Sequence, residues 1–174
     1  MVRQIINLVL LLSCFSVNAQ KYLAEDGVIS FFSEAPMEDI SAVNKKVSAV
    51  FDLATTDLVF QLKISDFIFP KSLMQEHFNE NYLESDIYPK STFIGKVIQN
   101  KNGKATVQGS LTIHGKTNKI TVDGIMFQNK KSVVISAEFS MKLEAYNIKI
   151  PTIVMYKIAE EIEIKVNIEL KKVK

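Results

Sequence analysis

The sequence has little of what most protein chemistry needs. In 174 residues it carries one cysteine (Cys14), two histidines (His77 and His114) and a single arginine, Arg3. No CxxC pair and no Cys-His cluster of the kind that holds zinc can be built from that inventory. The arginine fork is the group best suited to bidentate phosphate and base contacts, so its absence beyond position 3 argues against a nucleic-acid reader. A formal net charge of only +2 implies no strong pull toward polyanions. There is no phosphate loop and no dinucleotide fingerprint. Folding could still assemble a Ser-His-Asp arrangement, but no G-x-S-x-G elbow supports one. Internal repeats, linkers and low-complexity tracts are also missing. The length suits one domain with one core.

The two histidines do not repair the deficit. His114 falls on the polar side of its strand next to a turn, which predicts an exposed or turn-bonded ring. A lone imidazole without nearby ligands is not a metal site. His77 has Glu80 three residues on, a spacing that aligns side chains on a helix. Two ligands are fewer than a catalytic metal usually takes. His77 is therefore expected at the edge of an apolar stripe, with Glu80 solvated. Glu160, Glu161 and Glu163 read as a charged strand start, with Glu161 and Glu163 pointing to solvent. No catalytic residue, metal or cofactor is assigned.

What is present begins with an export signal. Arg3 supplies a positive start, Ile5 to Leu12 is apolar apart from Asn7, and Val17-Asn18-Ala19 offers a cleavage site. The apolar run is too short to span a membrane as a helix. Residues 1–19 are read as a signal peptide and 20–174 as one domain, with Gln20 the first mature residue. That places the protein in the periplasm or outside the cell, without cysteine and held by its core alone. Two alternatives stay open. Leu11-Leu12-Ser13-Cys14 loosely resembles a lipobox, which would make the protein a lipoprotein anchored at Cys14. The same apolar segment would also fit a buried N-terminal helix or strand.

The rest of the chain is dominated by alternation. Around LTIHGKTNKITV (Leu111 to Val122), Val107, Gly109, Leu111 and Ile113 share one face and their neighbours the other. A period of two is that of a half-buried β-strand. Gly115 to Lys119 is expected to reverse the chain, with Asn118 capping the turn. Further strands are expected at Asp26 to Phe32, Val47 to Leu53, Leu58 to Ile64, Thr92 to Gln99 and Val133 to Leu143. The last, Glu161 to Leu170, alternates without exception. Asn100 to Gly103 and Asn129 to Lys131 read as turns, and so does the polar stretch from Pro36 to Asn44, although Ile40 and Val43 could pack inward. Tyr146 to Pro151 reads as a connection leading to a helical turn around Thr152 to Tyr156.

The one helix is expected from Ser72 to Ser85. Ser72 and Gln75 form a capping box, and Met74, Phe78 and Tyr82 form an apolar stripe with Leu73 and His77 beside it. Seven or eight strands with one helix exclude a parallel βαβ arrangement. Closure would remove the reactive edges that so many antiparallel strands present. The expected fold is therefore all-β: an extended antiparallel β-barrel of about eight strands with one helix. A barrel of that size can hold one small ligand.

Four stretches, in order, carry a resemblance. They are Phe67 to Pro70, the run LMQEHFNE from Leu73 to Glu80, Tyr88-Pro-Lys-Ser-Thr-Phe-x-Gly, and the hairpin motif L-T-I-H-G-x-T-x-x-I beginning at Leu111. Together they resemble the YceI-like family, from about Gly27 to the C-terminus. The resemblance implies a lipocalin-like barrel that binds lipid or polyisoprenoid in the periplasm, with isoprenoid quinones or polyprenyl phosphates as the ligand class. It departs at Lys116, where an apolar residue is usual after the motif glycine. If that turn borders the ligand mouth, the head-group preference changes.

The candidate ligand-binding residues lie on apolar faces of long alternating strands: Phe60, Leu62, Leu111, Ile113, Phe139 and Met141. Met74 and Phe78 join them from the helix, which serves either as a lid or as a seal on the core. Gly95, Gly109 and Gly124 mark either close approach of a ligand or backbone, or relief of barrel curvature. Met126, Met141 and Met155 suit a pliable wall or fill core gaps. Two functional readings follow. One is a carrier, store or sensor of an isoprenoid lipid or quinone-like ligand, without stable membrane insertion. The other is a filled barrel acting as an interaction or stress-response module. An enzyme is not expected, and a homodimer stays open.

Overall fold

A computed structural model describes residues 20–34, 39–149 and 159–173. The signal peptide expected at residues 1–19, Met155 and the helical turn expected around Thr152 to Tyr156 fall outside them. Eight strands form a closed antiparallel barrel in which each pairs with its sequence neighbours and β8 returns to β1. They are β1 (Lys21–Ser33), β2 (Ile40–Asp52), β3 (Asp57–Lys63), β4 (Lys90–Lys101), β5 (Lys104–Ile113), β6 (Lys116–Gln128), β7 (Ser132–Lys142) and β8 (Glu161–Lys172). The expected all-β, lipocalin-like barrel is the fold observed.

Alternation sets the register. In β8, Ile162, Ile164, Val166, Ile168 and Leu170 are buried while the residues between them are exposed. A one-residue slip would bury Glu163 and Lys165 instead, so one pairing is strongly preferred. Two hairpins close on tight turns whose central residues both have positive φ, the geometry whose twist matches that of the flanking strands. In β4–β5 these are Asn102 (φ 55°) and Gly103 (φ 81°); in β5–β6 they are His114 (φ 49°) and Gly115 (φ 70°).

The second turn is shorter than expected. Lys116 already pairs with Ile113, so residues 116–119 belong to β6. Asn118 does not cap the turn; its Nδ2 donates to the Ala145 carbonyl at 2.6 Å. The first strands are longer than the pattern suggested. Residues 40–44 are strand rather than turn, because Asn44 is fully buried there with its amide satisfied by the Lys63 carbonyl at 2.9 Å.

The helical region also differs. A regular α-helix, α1 (Ser72–His77), passes into a π-helical turn over Phe78–Tyr82. No side chain caps α1. Gln75 is no capping-box partner: its Oε1 accepts the Phe69 N–H at 3.3 Å. The π turn begins only at Phe78, so Met74, Phe78 and Tyr82 keep one inward face, and Leu73, about 100° round α1 from Met74, falls outside it. Phe78 and Tyr82 are buried and Met74 is half-buried, but Leu73, expected inside, is exposed.

The glycine question resolves toward close approach. Gly95 and Gly109 are paired, and a Cβ on either would lie 2.6 Å from Cζ of Phe93. The Phe93 ring lies across both. At Gly124 a Cβ would meet the Ser136 carbonyl oxygen at 2.6 Å.

Candidate functional site

The barrel interior is filled unevenly. Toward the end where β1 begins and β8 finishes, Tyr22, Val47, Phe51, Val133 and Leu170 are at most 2% exposed and pack against Ala49, Ala105 and Met126. Met126 thus fills core there. At the other end the same inward faces surround a cavity of about 200 Å³. Native interiors hold few voids larger than a water molecule, and an engineered apolar hole of about 150 Å³ is enough to bind benzene. Inward residues such as Ile29, Phe60, Phe93, Ile120 and Phe139 are only partly buried although they face the axis. The surface they keep is that of the cavity.

All eight residues singled out in the sequence lie in this wall: Phe60, Leu62, Met74, Phe78, Leu111, Ile113, Phe139 and Met141. β3, β5 and β7 contribute the strand residues, because each long alternating strand turns its apolar face to the axis. Sequence reasoning missed Ile29 and Phe31 of β1, and Phe67 and Phe69 after β3. The last two entered only through Phe67 to Pro70, one of the stretches that carry the family resemblance. Alternation could not have found Phe67 and Phe69: the inward positions shift from even numbers, ending at Ile64, to odd ones across the tight turn Ile64–Asp66, and Ile68 between them is apolar too.

Phe31, Phe67, Phe69 and Phe78 close the cavity. The Phe78 ring centroid lies 5.6 Å from that of Phe31, 5.6 Å from Phe67 and 4.9 Å from Phe69. Such ring contacts add to simple area burial. The helical region is therefore a cap glued on by aromatic packing. A polar clasp holds its far side. His114 Nε2 lies 2.7 Å from Glu84 Oε2, its Nδ1 lies 3.3 Å from the Tyr146 carbonyl, and the Tyr88 ring packs edge-on at 4.5 Å. His114 is thus not the exposed or purely turn-bonded ring expected; its side chain is only 10% exposed. His77 is half-buried and Glu80 exposed, as the sequence suggested. Among the described residues no group of three potential ligands could hold a metal ion.

The cavity is nearly free of polarity. Among the described residues no charged side chain lines it. Two of its hydroxyls are occupied: Ser91 Oγ donates to the Thr112 carbonyl at 3.0 Å, and Ser33 Oγ accepts the Ala159 N–H at 3.1 Å. Burial pushes the Tyr82 phenol above its ordinary pKa, which keeps it neutral. Such a lining has dispersion and water exclusion to offer a guest, and little else.

The chain matches the model of the YceI-like domain over residues 18–170. Solved structures share the barrel. BcnA of Burkholderia cenocepacia is 21% identical, with a TM-score of 0.71 over 84% of this chain and 96% of its own. A polyisoprenoid-binding domain from Saccharophagus degradans, implicated in plant cell wall breakdown, is 10% identical, with a TM-score of 0.75 over 89% of this chain and 99% of its own. The Campylobacter jejuni YceI protein is 23% identical, with a TM-score of 0.63 over 75% and 84%. At these identities the likeness speaks for the fold alone. No curated protein sequence matches the chain.

Proposed function

The chain belongs to the YceI-like domain family, and from that premise we propose that it binds lipid, holding one polyisoprenoid or similar long apolar chain inside the barrel as a carrier, store or sensor. One observation carries the reading: the half-empty, uncharged cavity of about 200 Å³. Each methylene moved from water into such a site gains about 0.8 kcal/mol, so a long tail offsets the cost of ordering. The polyisoprenoid-binding domain from Saccharophagus degradans shares the fold and supports the ligand class. A filled barrel acting only as an interaction module would leave the cavity without a purpose. Quinone-like ligands belong to the same class. The reading has no place for an enzyme, because among the described residues the wall offers no nucleophile beside a base.

We place the mature protein in the periplasm or outside the cell, starting at Gln20. No helix among the described residues is long and apolar enough to cross a membrane. Labelled palmitate on Cys14, or fractionation wholly with membranes, would favour the anchored lipoprotein.

Native mass spectrometry of protein purified from its own host tests the binding. Extra mass that organic extraction removes, and that reloading with an isoprenoid restores, is expected. A barrel that carries no extra mass and takes up no isoprenoid after extraction sinks the carrier and leaves the interaction module.

A further inference from the structure

Two seams of the barrel are only partly laddered. Between β2 and β3 the described pairing covers just Ser48–Phe51 against Gln61–Leu58. The chain after β3 plugs that gap: Val43 and Ile68 exchange backbone hydrogen bonds at 3.1 and 2.9 Å, and Asn44 reaches the Lys63 carbonyl. Between β6 and β7 the described pairing stops at Gly124 and Ala137. Above that point the two strands part, although β6 stays paired with β5 up to Lys116 and β7 with β8 up to Lys142. At the top, Asn118 meets the Ala145 carbonyl.

The residues beside the second seam explain why it opens. Carried upward, the register of Gly124 with Ala137 would set Asp123 against Glu138 and Lys119 against Lys142. Like charges directly opposite one another destabilise an antiparallel pair. The inward residues at the same levels are Ile120 and Val122 on β6, and Phe139 and Met141 on β7. All four line the cavity. The parted strands therefore make a slot with an apolar inner rim that leads into the hollow half.

The outer rim is asymmetric in how its charges are answered. Asp123 accepts the Thr106 hydroxyl at 2.6 Å, and Glu138 pairs with Lys165 at 3.3 Å. Lys119 and Lys142 are both exposed, and among the described residues neither has an ion-pair partner. Two unanswered cations flank the mouth of an uncharged cavity. We infer that the apolar chain passes sideways through the β6–β7 seam, and that its acidic head group, such as a phosphate, stays outside between Lys119 and Lys142. The inference rests on the lipid-binding reading and specifies the doorway and the class of head group.

The test uses the full mature chain and two probes, geranylgeranyl monophosphate and geranylgeraniol, released into neutral phosphatidylcholine vesicles. Thr121→Cys with Ser140→Cys is stapled across the seam by a reducible bis-methanethiosulfonate. Glu84→Cys with His114→Cys instead locks the cap by a disulfide. Each locked protein is compared with its own reduced form, so any folding defect of the variants cancels. Stapling the seam should slow release of both probes about tenfold or more, reversed by reductant, while locking the cap leaves release within about twofold. Unchanged release from the stapled seam overturns the doorway, as does slowing by the cap lock alone. Lys119→Gln with Lys142→Gln should lower the preference for phosphate over alcohol about tenfold, and salt should weaken wild-type binding of the phosphate only. An unchanged preference overturns the head-group assignment. A wild-type protein that takes up neither probe overturns the lipid-binding reading itself, which the other failures leave standing.

Discussion

Along β8 one unbroken alternation serves two different interiors. Leu170 and Ile168 point into the packed half, where Leu170 is completely buried beside Val133 and Tyr22. Val166, Ile164 and Ile162 point from the same strand into the cavity wall. Nothing in the strand's own pattern marks the change. The opposing walls do: the packed half is filled by Tyr22, Phe51 and Met126, whereas the hollow half is held apart by Phe60, Phe93 and Phe139 around an empty axis. One half supplies the stability and the other the space. Large side chains on the hollow side do not collapse into it, because the aromatic cap and the strand ladders fix their backbones.

That division can be broken by charge, by deletion and by addition. The largest effect should come from a carboxylate. Ile168→Asp in the packed half should cost about 3–5 kcal/mol or prevent folding, since a buried charge without a partner is strongly destabilising. Ile164→Asp should cost several kcal/mol but less, because a cavity lets water follow the group. Urea midpoints of the two variants check the order, and an inverted order would refute the assignment of the halves.

Deletion should give a smaller contrast. Leu170→Ala should cost about 2–5 kcal/mol, the usual range for a buried large-to-small change. Ile162→Ala should fall at the low end of that range, because the new void merges with one that already exists. Equal losses by chemical denaturation would mean the cavity closes in solution. Addition sharpens the comparison further. Val133→Trp should overpack and lose about 1–3 kcal/mol or more. Leu111→Trp should leave stability and the β-rich circular dichroism nearly unchanged while cutting isoprenoid uptake. If Leu111→Trp also lowers the urea midpoint sharply, and the wild type takes up no isoprenoid, the filled-barrel reading stands.

The smallest effect should appear at alkaline pH. Burial raises the Tyr82 phenol above its ordinary value; burial also raises Tyr146, although the neighbouring Asn118 side chain opposes the shift. The unfolded chain releases these protons at about pH 10 while the folded protein still holds them. The stabilisation is therefore full below about pH 10 and is lost as pH rises from there through the folded values. Tyr82→Phe should flatten the fall in urea midpoint above that pH. A wild-type curve no steeper than that of the variant would remove Tyr82 from the account.

Much of this was legible from residue order. The alternation in β3, β5, β7 and β8 placed Phe60, Leu62, Leu111, Ile113, Phe139 and Met141 on inward faces, and all six are in the cavity wall. Legibility failed where a side chain's partner is remote in sequence. Asn44 looked like turn residue because its partner, the Lys63 carbonyl, comes from the next strand. His114 looked exposed because Glu84 lies thirty residues away. Leu73 looked buried because it is apolar and adjoins Met74, yet on α1 it sits about 100° away from the inward stripe.

The sequence by itself determined that there would be a barrel. A period of two over long strands buries one face only, a slipped register buries charge, and many antiparallel strands without covering helices leave closure as the way to satisfy their edges. It also determined which side chains of β3, β5, β7 and β8 would meet the axis. Only the tertiary structure decided where that axis is empty, which seam is plugged and which is parted, and that Phe31, Phe67, Phe69 and Phe78 would meet as a cap. Those outcomes depend on the summed volumes of residues from different strands and on charges brought opposite each other by the register. Neither quantity exists until the strands are paired.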